Sequence, residues 1–212
     1  MKCDMDYIIG VDFDNTIVSY DDLMHALAVQ RGLIQPAVKK SKKDIRDTIR
    51  QLPDGEVKWQ GLQAVLYGPR MREARLIDGV QTFFQLCRRH KVAVYTISHK
   101  TEYARSDESG INLRVAALTW MREKGFFEVD GFGLSQQDVY FESTRPEKIE
   151  RIRQLRCTHF IDDLEETFLE ESFPPNVEKI LYAPHMQYSA LSVVKVFTSW
   201  KEISDYFFSK KG

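Results

Sequence analysis

The sequence YIIGVDFDNT occupies residues 7–16 and begins with a short apolar run that stops at an acidic cluster. A continuous apolar run of this length, rich in β-branched residues, predicts a strand buried on both faces, as in a parallel sheet. Asp12 and Asp14 follow the run directly. In parallel α/β sheets, ligands bind beyond the carboxyl ends of the strands. The stretch therefore predicts both a buried strand and a site at its end.

Similar strand-like runs recur along the chain. They lie at residues 92–97, 139–141, 159–161 and 180–182, with a further edge strand expected at 193–197. Between these runs, apolar residues recur at three- and four-residue steps, which is the period of an amphipathic helix, as in Val80, Phe83 and Cys87. Strands that alternate with helices predict an α/β fold with a doubly wound, Rossmann-like parallel sheet.

Residues 20–75 interrupt this alternation, because no strand-like run occurs there. Helices are predicted near 22–31, 44–51 and 56–67, with Ser41 and Asp54 as the residues that cap the second and third. We therefore expect a core domain formed by residues 1–19 and 76–212. The remaining residues, 20–75, are expected to form a small all-helical cap over the carboxyl edge of the sheet.

Composition narrows the class of protein. The chain has 212 residues, a formal net charge of −1 and 43% hydrophobic residues, which favour a folded domain without the basic surface of a nucleic-acid-binding protein. No apolar run approaches the ~20 residues of a membrane helix, and the polar residues 1–6 do not resemble a signal peptide. The three cysteines are far apart and match neither a disulfide framework nor a zinc site. We expect a cytoplasmic protein with no nucleic-acid or membrane partner.

A second acidic pair, Asp162 and Asp163, also follows a strand-like run directly, and Glu166 lies shortly after it. Each pair by itself is also typical of a capped turn or a helix start. Neighbouring parallel strands would bring both pairs together, and carboxylates gathered in one place repel one another unless a cation lies among them. Oxygen ligands favour a hard divalent ion, so the sequence predicts a Mg²⁺ site.

Two further residues are placed to hold an anion. Ser98 ends the second strand-like run, where a hydroxyl and backbone N–H groups can bind phosphate oxygens. Lys148 lies near the start of the helix before the second acidic strand, where an ammonium group can neutralise a carboxylate and a phosphoryl group. An ordinary loop serine and a solvated surface lysine are the alternative interpretations.

The order of these motifs resembles that of the haloacid dehalogenase superfamily. The chain carries Asp-x-Asp-x-Thr from Asp12 to Thr16, then a strand ending in Ser98, then Lys148, then a strand ending in Asp162. The resemblance implies that Asp12 is the nucleophile. It further implies that Asp14 protonates the leaving group and then activates water.

The resemblance also implies the other roles. Ser98 and Lys148 would bind the phosphoryl group, and Thr16 would support the first motif. The side chains of Asp12 and Asp162 would bind Mg²⁺ together with the backbone carbonyl of Asp14. Asp163 or Glu166 would support this site. Thr96 is an alternative to Ser98, and Arg145 is an alternative to Lys148.

The predicted function is a Mg²⁺-dependent phosphohydrolase that acts on a small phosphorylated metabolite through an aspartyl-phosphate. Within the resembling family, the second acid, Asp14, argues against a dehalogenase. A phosphomutase and a non-catalytic binding protein remain as alternatives. The cationic run from Lys39 to Lys43 either binds a second anionic group of the substrate or forms a solvated helix face. No oligomeric state is indicated.

Overall fold

A computed structural model of the chain describes residues 7–104, 110–185 and 194–209. Its strands are β1 (Ile8–Val11), β2 (Val18–Ser19), β3 (Arg75–Leu76), β4 (Ala93–His99), β5 (Val139–Glu142), β6 (His159–Asp162), β7 (Glu178–Tyr182) and β8 (Val194–Phe197). Its α-helices are α1 (Asp21–Gln30), α2 (Lys42–Arg50), α3 (Gly55–Tyr67), α4 (Val80–Arg89), α5 (Leu113–Glu123), α6 (Arg145–Gln154), α7 (Glu165–Phe168) and α8 (Trp200–Phe208). Short 3₁₀ turns occur at Met71–Glu73 and Gln136–Asp138.

In the described part of the chain, six strands form one parallel sheet in the order β5-β4-β1-β6-β7-β8. Counted along the chain, these strands have the order 3-2-1-4-5-6, which is that of a Rossmann-like sheet. The predicted fold class is therefore confirmed. The strand order reverses at β1, whose neighbours are β4 and β6. Ligands bind such sheets in the crevice at this switch point, beyond the carboxyl ends of the strands.

Strand β1 lies at the centre of the sheet because its residues can be buried on both faces. Ile9 and Val11 are fully buried. Gly10 permits close packing with β6, because a Cβ atom at this position would lie 2.6 Å from the ring of Phe160. Gly10 thus leaves room for the Phe160 ring beside β1.

Helix α2 begins as the sequence predicted, whereas the cap predicted for α3 is wrong. The hydroxyl of Ser41 accepts a hydrogen bond from the backbone N–H of Asp44 at 3.1 Å. Asp54 precedes α3, but its side chain makes no capping hydrogen bond and its φ is 55°. A capping side chain requires an extended backbone, and the tight turn before Gly55 holds Asp54 in the left-handed region instead.

The chain divides into two compact units. One contains the described residues up to Ile17, from Leu76 to Lys100 and from Lys124 onwards; the other contains those of Val18–Arg75 and Thr101–Glu123. The second unit thus includes α5, which the sequence-based boundaries placed in the core domain. Within that unit, the indole N–H of Trp120 donates to the carbonyl of Ala74 at 3.0 Å, which links α5 to the residue between the 3₁₀ turn at Met71–Glu73 and β3. A residue 46 positions away cannot be identified as a partner from local periodicity.

The described helices include none that combines the length and the apolar character needed to cross a bilayer. Cys87 and Cys157 are buried as free thiols, and burial raises the pKa of each to about 12. Both cysteines therefore stay protonated at neutral pH. A protonated thiol is a poor nucleophile and a poor metal ligand. Cys3 and the rest of residues 1–6, for which the sequence predicts no signal peptide, lie outside the described residues.

Candidate active site

The two acidic strand ends meet at the switch point of the sheet. Val11 pairs with Ile161, and the backbone N–H of Asp12 donates to the carbonyl of Ile161 at 2.8 Å. Asp12 is thus the first residue beyond β1, and Asp162 is the last residue of β6. Because the strands are parallel and adjacent, both carboxylates lie at the same edge of the sheet.

Lys148 joins these two carboxylates. Its Nζ lies 2.7 Å from Oδ1 of Asp12 and 2.7 Å from Oδ2 of Asp162, and all three side chains are buried. A capping box fixes the start of α6: the hydroxyl of Thr144 accepts from the N–H of Glu147 at 3.3 Å, and the Glu147 carboxylate accepts from the N–H of Thr144. This start places Lys148 in the first turn of the helix.

Lys148 and Arg145 were the two candidates for the cation that lies next to the nucleophile, and it is Lys148 that contacts Asp12. Arg145 instead pairs with Glu170, where its Nη1 lies 3.0 Å from Oε1. Arg145 and Lys148 lie three residues apart on α6, so the helical period places both on the same face and the sequence does not distinguish them.

Burial and the neighbouring charges set the protonation of the central pair. Burial raises the pKa of Asp12 to about 6, with Lys148 opposing this shift and Asp162 and Asp14 adding to it. Burial alone would lower the pKa of Lys148, but the carboxylates of Asp12 and Asp162 outweigh it and raise that pKa above its usual value. At neutral pH, Asp12 is therefore mostly ionised next to a charged ammonium group.

Three acids form a group suited to a divalent cation. One oxygen each of Asp12, Asp162 and Asp163 can be chosen so that all three lie within 4.8 Å of one another. Ligand oxygens around Mg²⁺ lie at about 2.1 Å from the ion and hence up to about 4.2 Å apart, so small side-chain rotations would suffice to bind it. Asp163 belongs to this group, while Glu166 is exposed on α7 and lies outside it. The donor set therefore fits a hard cation.

Asp14 has a cationic partner of its own, which the sequence analysis missed. The Nζ of Lys100 lies 2.8 Å from Oδ2 and 3.1 Å from Oδ1 of Asp14. A lysine just after a strand is common on protein surfaces, so nothing in its local sequence marks Lys100 as a site residue. The Asp14 carboxylate lies outside the group of Asp12, Asp162 and Asp163. Only its backbone carbonyl was proposed as a metal ligand.

The register of β4 distinguishes Ser98 from Thr96. Thr96 pairs with Val11, so it is level with the last residue of β1, whereas Ser98 lies two residues further along the same face and pairs with Phe141. Asp12 is therefore level with Ile97, with Thr96 one residue before that level and Ser98 one residue beyond it, toward the carboxyl edge. Both hydroxyl-bearing residues are buried, and within the described residues the Thr96 hydroxyl has no hydrogen-bond partner.

The loop that carries Asp12 and Asp14 is held from several sides. Asn15 adopts φ 60°, a left-handed conformation that asparagine tolerates better than most residues. Phe13 is fully buried and contacts Phe141 edge to face, with ring centroids 5.7 Å apart. The carbonyl of Thr16 accepts from the indole N–H of Trp200 at 2.9 Å. The hydroxyl of Thr16 is buried without a hydrogen-bond partner among the described residues.

No protein-family model matches the chain, and no curated protein matches it either. Solved structures match it over nearly its whole length. A HAD hydrolase of family IA, variant 3, from Entamoeba histolytica HM-1:IMSS is 10% identical, with a TM-score of 0.59, and the match covers 92% of this chain and 94% of that one. A HAD family hydrolase from Deinococcus radiodurans R1, solved with bound phosphate and sodium, is 15% identical with a TM-score of 0.57 over 95% of both chains.

A mutant of CbbY from Rhodobacter sphaeroides, in complex with xylulose-(1,5)bisphosphate, is 13% identical with a TM-score of 0.51, and the match covers 93% of this chain and 96% of that one. At these identities the likeness concerns the fold. The resemblance that the four sequence motifs indicated is thereby confirmed at the level of the fold. The chain has the fold of the haloacid dehalogenase (HAD) superfamily hydrolases.

Proposed function

We propose that the chain is a Mg²⁺-dependent phosphohydrolase that transfers a phosphoryl group from a small phosphoester to Asp12 and then to water. One observation carries this proposal: Lys148 bridges the buried carboxylates of Asp12 and Asp162 at the switch point of the sheet. A buried cluster of three charged groups adds little to the free energy of unfolding, because the cost of desolvating the charges offsets much of their attraction. Its presence at the edge where sheets of this type bind ligands therefore favours a catalytic role.

Two proteins of the same fold support phosphate as the ligand class. The Deinococcus radiodurans hydrolase was solved with bound phosphate, and the CbbY mutant was solved with a sugar bisphosphate. Both ligands carry phosphoryl groups, which we propose that Ser98 and Lys148 bind in this chain.

The charge balance of the site supports a divalent cation. The carboxylates of Asp12, Asp162 and Asp163 bring three formal negative charges, and the ammonium group of Lys148 brings one positive charge, so a divalent cation would balance the formal charge of these four side chains. We propose that Asp12, Asp162 and Asp163 hold the ion, together with the carbonyl of Asp14. When bound, Mg²⁺ supplies charge compensation that lets an anionic nucleophile approach an anionic phosphoryl group.

The residues of the chain then act in two displacements. In the first, a carboxylate oxygen of Asp12 forms a bond to phosphorus, the bond from phosphorus to the leaving oxygen breaks, and protonated Asp14 gives its proton to that oxygen. In the second, a water oxygen bonds to phosphorus, Asp14 takes a proton from the water, and the bond from Asp12 to phosphorus breaks. Ser98 and Lys148 hold the phosphoryl oxygens through both steps.

Removal of the metal tests the proposed function directly. Wild-type protein is incubated with 4-nitrophenyl phosphate and excess chelator, and phosphate release is then followed as Mg²⁺ or Ca²⁺ is added back. We expect no release above background in chelator, full recovery with Mg²⁺ and poor recovery with Ca²⁺, which prefers a larger and looser oxygen shell. Undiminished release in excess chelator would contradict the metal-assisted mechanism, and no release under any condition, on this substrate or on small metabolites, would contradict the phosphohydrolase itself.

The proposed substrate class is supported by the burial of the nucleophile. Asp12 is only 5% exposed, which favours a phosphoryl group carried by a small or slender molecule. We expect kcat/KM for sugar phosphates and nucleotides to exceed that for phosphopeptides and 3′-phosphorylated oligonucleotides by about 10²-fold or more, because a misplacement of about 1 Å loses that much. A panel of both substrate sets at equal concentration measures the ratio. Preference for the macromolecules would overturn this substrate class and leave the chemistry at Asp12 intact.

A further inference from the structure

Lys100 and Asp14 form a largely buried ion pair in which the position of the lysine is fixed. The Lys100 side chain is 3% exposed, and its ammonium group reaches both oxygens of the Asp14 carboxylate, which is 18% exposed. The backbone N–H of Lys100 donates to the carbonyl of Glu142 at 2.8 Å, which anchors the residue just beyond the paired strands β4 and β5. Lys100 is therefore held at both its backbone and its side-chain end.

The surroundings of the ammonium group restrict it further. The Nζ of Lys100 lies 5.7 Å from the centroid of the Phe13 ring, within reach of a cation–π interaction. Phe13 is itself fully buried and packs against Phe141. A cation held by the residue between Asp12 and Asp14, and by the Asp14 carboxylate, limits the side-chain rotamers that Asp14 can adopt.

We infer that Lys100 is a positioning residue for Asp14, which keeps the carboxyl group aimed at the leaving oxygen and, later, at the attacking water. This inference rests on the proposed phosphohydrolase function. Acid–base groups act only within hydrogen-bond reach of the atom they serve, so the rotamer of Asp14 determines its efficiency. The two lysines then have separate roles: Lys148 neutralises the nucleophile Asp12, and Lys100 positions Asp14.

A kinetic comparison of two substrates tests this role. Lys100→Met is compared with wild type in single turnovers on an alkyl phosphate, whose leaving group needs a proton, and on 4-nitrophenyl phosphate, whose leaving group does not. We expect the first displacement to slow by about 10²-fold for the alkyl phosphate and by less than about 10-fold for the aryl phosphate, in line with the usual worth of acid–base catalysis. KM should change little for either substrate.

A double-mutant cycle separates positioning from other roles. If Lys100 acts through Asp14, then Asp14→Asn/Lys100→Met should be no slower in the first displacement than Asp14→Asn alone, since the two residues act as a unit. Lys201→Met is the control variant: it removes an exposed lysine that pairs with Asp205 on α8, so it should keep the substrate dependence of the wild type.

The outcomes that overturn the inference are distinct. Equal losses on both substrates, or additive losses in the double variant, would contradict a role through Asp14. A raised KM and weaker inhibition by inorganic phosphate would assign Lys100 to the phosphoryl group instead. A wild-type protein without activity on either substrate would remove the proposed function and this inference together, whereas an active wild type with an unchanged substrate dependence in Lys100→Met would remove this inference alone.

A wild-type crystal structure with Mg²⁺ and vanadate gives a readout that needs no variant, in case Lys100→Met does not fold. We expect the Lys100 ammonium group to remain within hydrogen-bond distance of the Asp14 carboxylate, while Lys148 contacts the vanadate or Asp12. A structure in which Lys100 leaves Asp14 to contact the vanadate would overturn the inference.

Discussion

Replacing Asp12 with asparagine is expected to lower the rate of phosphate release by at least about 10³-fold, which is typical of the loss in rate when a catalytic nucleophile is removed. The amide has nearly the shape of the carboxylate, but it cannot form the bond to phosphorus. The chain should remain folded, because burial already disfavours the charged form of Asp12 and because Lys148 keeps its second partner, Asp162. Steady-state release from 4-nitrophenyl phosphate and a thermal melt of Asp12→Asn measure the two effects separately.

Chemical trapping identifies the attacking atom more directly. Borohydride reduces an acyl phosphate to the alcohol, so acid-quenched wild-type protein should yield homoserine at position 12 in the peptide mass spectrum. Asp14→Asn should raise the trapped fraction, because the second displacement then lacks its base. Asp205→Asn on α8, which removes an exposed carboxylate paired with Lys201, serves as the matched control and should behave as wild type. Retention of a tenth of wild-type turnover in Asp12→Asn would show that another residue attacks.

Replacing Lys148 with methionine is expected to reduce both activity and stability. Removing one partner from a buried ion pair typically lowers the free energy of unfolding by about 3–5 kcal/mol, because an uncompensated charge is left in the interior. Here the carboxylates of Asp12 and Asp162, each 2.7 Å from the ammonium group in the wild type, would face each other without it. The loss of charge at the phosphoryl group should also lower kcat by about 10²-fold or more, as for other electrostatic contacts in active sites.

The loss of stability should depend on pH in a defined direction. Burial raises the folded-state pKa of Asp12 to about 6, above the unfolded value of 3.8, so protonation of this group stabilises the folded state at low pH, and that contribution is lost as pH rises through the folded-state pKa. Without Lys148, which opposes the shift, the pKa of Asp12 should rise further. The difference in melting temperature between Lys148→Met and wild type should therefore be larger at pH 8 than at pH 5.

Two comparisons make the Lys148 prediction sharp. Lys201→Met on α8 removes an exposed lysine paired with Asp205 and should leave both activity and melting temperature unchanged. Added Mg²⁺ should recover part of the stability of Lys148→Met by binding the folded state, but not its activity. Equal destabilisation at pH 5 and pH 8 would argue that packing, and not the charge of Lys148, supports the fold.

The sequence by itself determined the class of fold and the edge of the sheet that carries the site. Continuous apolar runs and helical periodicity are properties of neighbouring residues, so they identify β1 and α4 without any knowledge of tertiary contacts. Asp12 and Asp162 could be placed together because each directly follows or ends a strand, and parallel strands end at one edge. This inference required only that the sheet be parallel, which the continuous apolar runs indicated.

The tertiary structure alone decided which side chains touch. Lys148 lies 136 positions from Asp12, and Lys100 lies 86 positions from Asp14, so neither contact leaves a periodic trace in the sequence. The choice of Lys148 over Arg145, the grouping of Asp163 with Asp12 and Asp162, and the pairing of Lys100 with Asp14 all depend on strand order and register. The physical reason is that hydrogen bonds and ion pairs require contact within about 3–4 Å. Sequence patterns specify the face or edge on which a residue lies, but not its position to that accuracy.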